Sequence, residues 1–331
     1  WRISGPRQRI VADQWQPGIT TSSLRYRSEL LQKLRNFFYQ RQLIEVDVPV
    51  LARSTVTDSN VESIKSEVYG GSGYLQTSPE YFMKRLLAAG CDDIFCLGKA
   101  FRDAESGRRH NPEFTILEWY RCGWNEHQLM DEVAELITQL TDLSAQEGLS
   151  VTKRSYGECF QSVLGVDPHS AELSSLRQLA VTVGSQSWAQ ESRANCLDLL
   201  FSLAVEPQLS DGLVFIYDYP ACQAALAQTH LNTHNQLVSR RFEVFFNKME
   251  LANGYMELTD AEQQRQRFGK DCDQRRASNK PELAIDEKLM AALDHGLPPC
   301  AGVALGVDRL LMQLQGATSI DQVMAFSWPR C

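Results

Sequence analysis

No apolar run in the sequence approaches the roughly 18 residues that a bilayer-spanning helix needs. The first residues, WRISGPRQRIVADQWQPG, lack the apolar core of a secretory leader. These absences lead to the expectation of a cytoplasmic protein with no membrane partner. The nine cysteines include no C-x-x-C pair, and Cys91 and Cys96 are the nearest neighbours. That spacing argues against zinc and against a disulfide scaffold, and for reduced, mostly buried thiols. A basic excess is also missing: 33 Lys and Arg against 41 Asp and Glu give a net charge of −8. A dedicated nucleic-acid binder carries a basic footprint, so this class is disfavoured, although a local cationic pocket is not. Neither G-x-x-x-x-G-K-[ST] nor a strand-linked G-x-G-x-x-G occurs, so a nucleotide would be bound without a P-loop or Rossmann turn. Internal repeats and low-complexity tracts are absent too.

What is present reads as interleaved helices and strands. Residues 23–42 have helical periodicity in Leu24, Leu30, Leu31, Leu34, Phe37 and Phe38, with Ser22 or Ser23 as the expected N-cap. LIEVDVPVL then alternates as a strand that Pro49 must end or place at an edge. This pair is either an ordinary helix–strand unit or a dimer element. In YLQTSPEYFMKRLLAAG, Ser78 suits an N-cap, Pro79 the first helical position and Glu80 the first turn. Residues 126–148 and 168–206 are expected to be helical, 212–220 a strand, 241–258 a hairpin, and 260–276 a charged helix. GVALGVDRLLMQL reads as a glycine-spaced strand running into a helix.

Three segments carry candidate chemistry. The first is FRDAESGRRHNPEFTILEWYR at 101–121, with four arginines around a turn. Strand alternation places Phe114, Ile116, Glu118 and Tyr120 on one face and Thr115, Leu117, Trp119 and Arg121 on the other. Glu118 then implies a nearby cation, whether in a solvated ion pair or in a ligand. In the second, a turn at Asn247-Lys248 would pair Phe245 with Glu250 and make Glu243 and Glu250 diagonal neighbours. Two such carboxylates repel unless a cation lies between them, and Mg²⁺ is the hard cation that suits carboxylates plus phosphates. Glu257 falls on the opposite face unless a bulge, expected at Asn253-Gly254, resets the parity. In the third, Gly302 to Arg309, the glycines allow close approach and Arg309 can offer a guanidinium fork to phosphate. Asp308 is either an N-terminal charge or a support for Arg309.

Together these segments resemble the signature motifs of class II aminoacyl-tRNA synthetases. The helix and strand ending in Pro49 are similar to motif 1, FRDAESGRRHNPEF to motif 2, and GVALGVDRL to motif 3. HNPEFT, R-F-E…E-L-x-N-G-x-x-E-L and G-x-D-R are most similar to lysyl-tRNA synthetases, over residues 23–331. The resemblance implies an α+β fold, an antiparallel sheet flanked by helices, a helical insertion at about 168–206 and a homodimer. It implies adenylation with ATP and Mg²⁺, in which positioning and charge neutralisation matter most. By position, Arg102 and Arg309 would be catalytic. Arg102 would hold the α-phosphate and the substrate carboxylate, and Arg309 the γ-phosphate. Asp103, Ala104, His110 and Asn111 would shape the ATP loop, Phe114 would stack on adenine, and the backbone at Leu251 and Gly306 would leave room for it. Glu243 and Glu250 would ligate Mg²⁺. Ser78, Pro79 and Glu80 would lie near the substrate amino group, and Glu118, Tyr120, Asn253 and Glu257 would surround a distal ammonium.

Residues 1–22 are expected to be a tail, with no anticodon-binding domain. This resembles a shorter paralogous family, the elongation factor P–(R)-β-lysine ligases, which implies (R)-β-lysine as substrate and elongation factor P rather than tRNA as acceptor. Ser78 and Ala304 stand where lysyl-tRNA synthetases commonly have alanine and glycine, and would reshape the pocket for a β-amine. Both families usually read F-R-x-E in motif 2; here Ala104 takes the glutamate position and Glu105 follows. The alternatives are a lysine-activating tRNA ligase without an anticodon domain and a non-catalytic paralogue.

Overall fold

The computed structural model describes residues 15–141 and 148–331. Most of the expected tail and the end of the helix expected at 126–148 lie outside the described residues. Helix α1, Thr21–Gln40, buries Leu30, Leu34, Phe37 and Phe38. Its N-cap is Thr20, whose hydroxyl accepts from the Ser23 amide at 3.2 Å, not Ser22 or Ser23 as the pattern suggested. The strand expected in LIEVDVPVL shrinks to β1, Ile44–Glu45. It pairs in parallel with the start of β5, Ile94–Phe101, and Ile44 stays half exposed. The last bond to this strand is Val46 N–H to Phe95 O, after which the chain leaves the sheet before Pro49.

A small antiparallel sheet follows, made of β2 (Leu51–Ala52), β3 (Lys65–Val68) and β4 (Gly71–Leu75). Helix α2 spans Glu80–Ala88. The main sheet adds β6 (Glu113–Cys122), β7 (Val151–Ser155), β8 (Leu213–Pro220), β9 (Thr229–Leu231), β10 (Leu237–Phe246), β11 (Met249–Met256) and β12 (Cys300–Gly306). Its order is β1-β5-β6-β12-β11-β10-β8-β7, with β9 beside β10. Only β1/β5 and β7/β8 are parallel pairs, so the sheet is dominantly antiparallel, as expected of the α+β class.

Alternation divides this sheet into two chemically different faces. Leu117, Trp119, Phe242, Val244, Ala252, Val303 and Leu305 join the main core. Against them pack α1, α3 (Glu126–Thr141) and α9 (Val307–Gln315). The other face has a cluster at each end. One is built on α4 (Tyr156–Leu164), α5 (Leu173–Val183) and α6 (Arg193–Leu200). The other joins α2, α7 (Ala261–Ala277) and α8 (Glu287–Gly296). The rows of side chains between these clusters form the candidate site.

Asp308 closes one edge of that region. Its carboxylate accepts from Arg27 at 2.6 Å and from the Thr115 amide at 2.7 Å, so it holds α1 and β6 rather than Arg309. Removing one partner of a buried ion pair leaves the other charge stranded. Asp308→Ala should therefore lower unfolding free energy by about 3 kcal/mol in urea denaturation, with Asp308→Asn losing less.

Candidate active site

The hairpin of β10 and β11 turns at Asn247 and Lys248, both in the left-handed region at φ 46° and 64°. This is a primed two-residue turn, and it pairs Phe246 with Met249 and Phe245 with Glu250 as expected. The bulge, however, is not at Asn253-Gly254. Val244 pairs with Ala252 and Phe245 with Glu250, which leaves Leu251 as the extra residue. The consequence is the one anticipated: Glu250, Asn253, Tyr255 and Glu257 fall on one face.

The register then aligns functional side chains in rungs. Glu118 on β6, Ala304 on β12, Asn253 on β11 and Glu243 on β10 form one row. Tyr120, Gly302, Tyr255 and Arg241 form the next. A Cβ at Gly302 would meet the Tyr120 ring at 2.4 Å and the Glu257 carboxylate at 2.6 Å. Glycine there lets the phenol lie flat across β12.

Around the first rows lies an open cavity. Arg102, His110, Asn111, Phe114, Glu250, Leu251, Asn253, Ala304, Gly306 and Arg309 all line it, together with Glu105. Arg102 sits 5.2 Å above the Phe114 ring and 3.5 Å from Glu105. Arg309, at the start of α9, bonds the Glu250 carbonyl at 3.0 Å and approaches its carboxylate at 3.2 Å. His110 lies 2.7 Å from Arg309, and burial, aided by Arg309, lowers its basicity. Asn111 fixes the loop by donating to Glu113 O at 2.6 Å and accepting from Trp328 N–H at 2.8 Å. Asp103 and Ala104 are outside the cavity lining. Ala104 adopts φ 59°, and the following residue, Glu105, reaches Arg102. The carboxylate displaced by one place in sequence therefore still faces the site.

The second half of the site is acidic and buried. Glu118 is 2% exposed and accepts from Ser78 Oγ at 2.6 Å and Tyr120 Oη at 2.7 Å. Ser78 also accepts from the Glu80 amide at 3.0 Å, so it caps α2 by hydrogen bond although the helix itself begins after Pro79. Burial and Glu80 push the Glu118 carboxyl up to about 8, against the two hydroxyl donors. Burial also raises Glu257, opposed by Lys84. Lys84 was not singled out from the sequence, where it looks like any surface lysine of an amphipathic helix. It is 3% exposed and lies 2.6 Å from both Glu80 and Glu257. Burial disfavours its charge, but the two glutamates hold it firmly protonated.

Glu243 and Glu250 are diagonal neighbours, and Glu250 adds to the burial that raises Glu243. Each has an arginine: Arg241 bonds Glu243 and Arg309 faces Glu250. Among the described residues no group of three or more metal-ligating side chains converges. A divalent cation would thus fit here only with ligand phosphates completing its shell, which suits Mg²⁺. Among the described residues all nine cysteines are free, and no helix is long and apolar enough to cross a membrane.

Two outcomes follow. Glu118 keeps a proton when folded that the unfolded chain releases, so its contribution is complete at low pH and is lost as pH rises toward about 8. The slope is on the order of 1.4 kcal/mol per pH unit over that window. In melts from pH 5 to 8.5, Glu118→Gln should therefore gain stability over wild type as pH rises; a constant difference would contradict this. Gly302→Ala should displace Tyr120 and lower unfolding free energy by about 1–3 kcal/mol, read by urea denaturation.

A family model of class II tRNA synthetases (D, K and N) matches residues 11–330. The chain is 44% identical over 324 residues to the elongation factor P–(R)-β-lysine ligase of Hamiltonella defensa, covering 95% of this chain and 98% of that protein. It is 45% identical over 331 residues to the Vibrio cholerae protein of the same name, covering 97% of this chain and 100% of that one. With the Photorhabdus laumondii protein, also so named, it shares 45% over 322 residues, 95% and 97% of the two chains. The antiparallel sheet, the arginine-lined cavity and these matches lead to one conclusion: the chain belongs to the class II tRNA synthetase family of the D, K and N type, and to its branch of elongation factor P–(R)-β-lysine ligase relatives.

Proposed function

We propose that this chain, an ATP-dependent ligase of the class II synthetase family, activates (R)-β-lysine and transfers it to a lysine ε-amino group of elongation factor P. The observation that carries this reading is the continuity of two opposite electrostatic environments along one sheet face. Arg102 and Arg309 line the cavity end, and partly buried Glu80 with buried Glu118 and Glu257 lies at the other. Phe114 and Glu118 lie four residues apart on β6, about 13 Å by strand rise. A molecule spanning them meets cations at its phosphates and carboxylates at its amines.

In this reading the (R)-β-lysine carboxylate attacks the α-phosphorus of ATP and pyrophosphate leaves. The acceptor amine then attacks the acyl carbon, releases AMP and sheds a proton. Arg102 neutralises the reacting carboxylate and α-phosphate, and Arg309 grips the γ-phosphate. Phe114 stacks on adenine, within the loop built by Asp103, Ala104, His110 and Asn111, and Leu251 and Gly306 admit the nucleotide. Glu243 and Glu250 would hold Mg²⁺, which supplies charge neutralisation at the phosphates. Ser78, Pro79 and Glu80 frame the β-amine; Glu118, Tyr120, Asn253 and Glu257 take the distal ammonium, with Ala304 shaping the floor. Positioned charge of this kind is the main catalytic contribution for such chemistry.

The same reading takes 23–331 as one catalytic domain with 168–206 as a helical insertion. It makes the chain a cytoplasmic homodimer. The exposure of Tyr39, Ile44, Val50 and Leu51 around α1 and β1 supports an apolar interface there. The net charge of −8 favours a protein acceptor over tRNA.

ATP–pyrophosphate exchange should be driven by (R)-β-lysine in preference to α-lysine, and Arg309→Ala should reduce it by about 10²–10³-fold. Intact-mass measurement should then show elongation factor P gaining one β-lysyl group. Exchange led by α-lysine, or charging of tRNA with no mass gain on the protein, would overturn the assignment.

A further inference from the structure

Lys84 has no place in the reaction as written, yet it is the most enclosed cation of the site. The i, i+4 spacing on α2 sets it one turn from Glu80. Its ammonium also reaches across to Glu257, just past the end of β11, and so ties a helix to the sheet. Glu118, by contrast, receives among the described residues only the hydroxyls of Ser78 and Tyr120. Among the described residues no lysine or arginine forms an ion pair with it. The pocket therefore holds three carboxylates, Glu80, Glu118 and Glu257, against one ammonium.

We propose that Lys84 is a positioning residue that sets how many positive charges the amino-acid pocket accepts. It bridges Glu80 and Glu257 and leaves two carboxylate charges to be matched by a substrate with two ammonium groups. The inference rests on reading this cluster as the amino-acid site. Its physical basis is the cost of burying unpaired charge. A substrate with one ammonium leaves a bare carboxylate, which must take up a proton instead. Without Lys84, one carboxylate more is unmatched, and the pocket holds a further proton that stays when a substrate with two ammonium groups binds. The other titratable groups that face the cluster are Tyr81 on α2, Cys96 on β5, Tyr120 on β6, Tyr255 on β11 and Cys300 on β12. Burial raises all five well beyond neutral pH, so they stay protonated and do not enter the count.

The test is the pH dependence of folding. Urea unfolding of the substrate-free full chain between pH 5 and pH 8.5 yields the protons taken up on folding. Lys84→Met should take up about one proton more than wild type, and Lys84→Arg the same number as wild type. In exchange assays Lys84→Met should raise KM for (R)-β-lysine by about tenfold with KM for ATP within about twofold. A role confined to holding the fold together would lower stability equally at every pH and leave the proton count unchanged. Lys84→Gln replaces Lys84→Met if the latter does not fold. Equal proton uptake on folding in Lys84→Met and wild type would overturn the proposal. If wild type shows no binding or exchange with (R)-β-lysine, the functional reading itself fails, a result separate from any effect of Lys84.

Discussion

One unpaired residue in β11 determines which chemistry the sheet presents. Leu251 has no partner on β10, and every residue after it is shifted by one in parity. Strict alternation from Glu250 would direct Asn253, Tyr255 and Glu257 toward the side where Val244, Ala252 and Leu305 pack. Three polar groups would then be driven into the main core. With the bulge, they join Glu118, Tyr120 and Glu243 on the opposite face, and Ala252 goes to the core. One glycine of β12 follows from this arrangement. Gly302 lies between Tyr120 and Tyr255 on a crowded rung, and only a missing side chain lets Tyr120 and Glu257 approach over it.

The site so assembled is under electrostatic strain. Glu80, Glu118 and Glu257 are brought together with a single lysine, and burial raises two of them. The neighbouring cavity instead concentrates arginines, Arg102, Arg109 and Arg309, with Glu105, Glu250 and Asp308 also in its lining. In the empty protein, neighbours moderate both: Glu105 faces Arg102, Glu250 faces Arg309, and Lys84 is shared between two carboxylates. These are the contacts a bound molecule of complementary charge would exchange for its own. Substitutions that stabilise the empty fold here would oppose binding, the usual tension between stability and activity.

Ser78 illustrates how one hydroxyl serves two structural levels. It satisfies an orphan amide at the start of α2 and donates to the carboxylate of Glu118 on β6. Alanine in its place could do neither. The serine thus links the helix that carries Glu80 and Lys84 to the strand that carries Glu118, and the geometry of the acidic pocket depends on it. On the next strand Ala304 stands beside Glu118 and Asn253, so two of the positions that depart from the lysyl-tRNA synthetase pattern border the same carboxylate.

Much of this was legible in the sequence because it depends on local rules. The primed turn at Asn247-Lys248, the faces of β6, the helical stretch after Gly306 and the carboxylates of the β10–β11 hairpin follow from period, turn chemistry and composition. The motif resemblance adds the sheet that joins them. What the sequence misplaced was set by partners distant in the chain. Asp308 serves Arg27 and Thr115 because α1 folds against β6, and β1 is short because the chain leaves β5 after Val46, ahead of Pro49. The bulge moved from Asn253 to Leu251 because the cross-strand register decides where the extra residue goes. Lys84 carries no local signal at all. By itself the sequence determined the elements, their faces and the kinds of charge each brings. Only the tertiary structure decided which charges meet, because ion pairing in a buried site depends on separations between chain-distant groups that spacing along the chain does not encode.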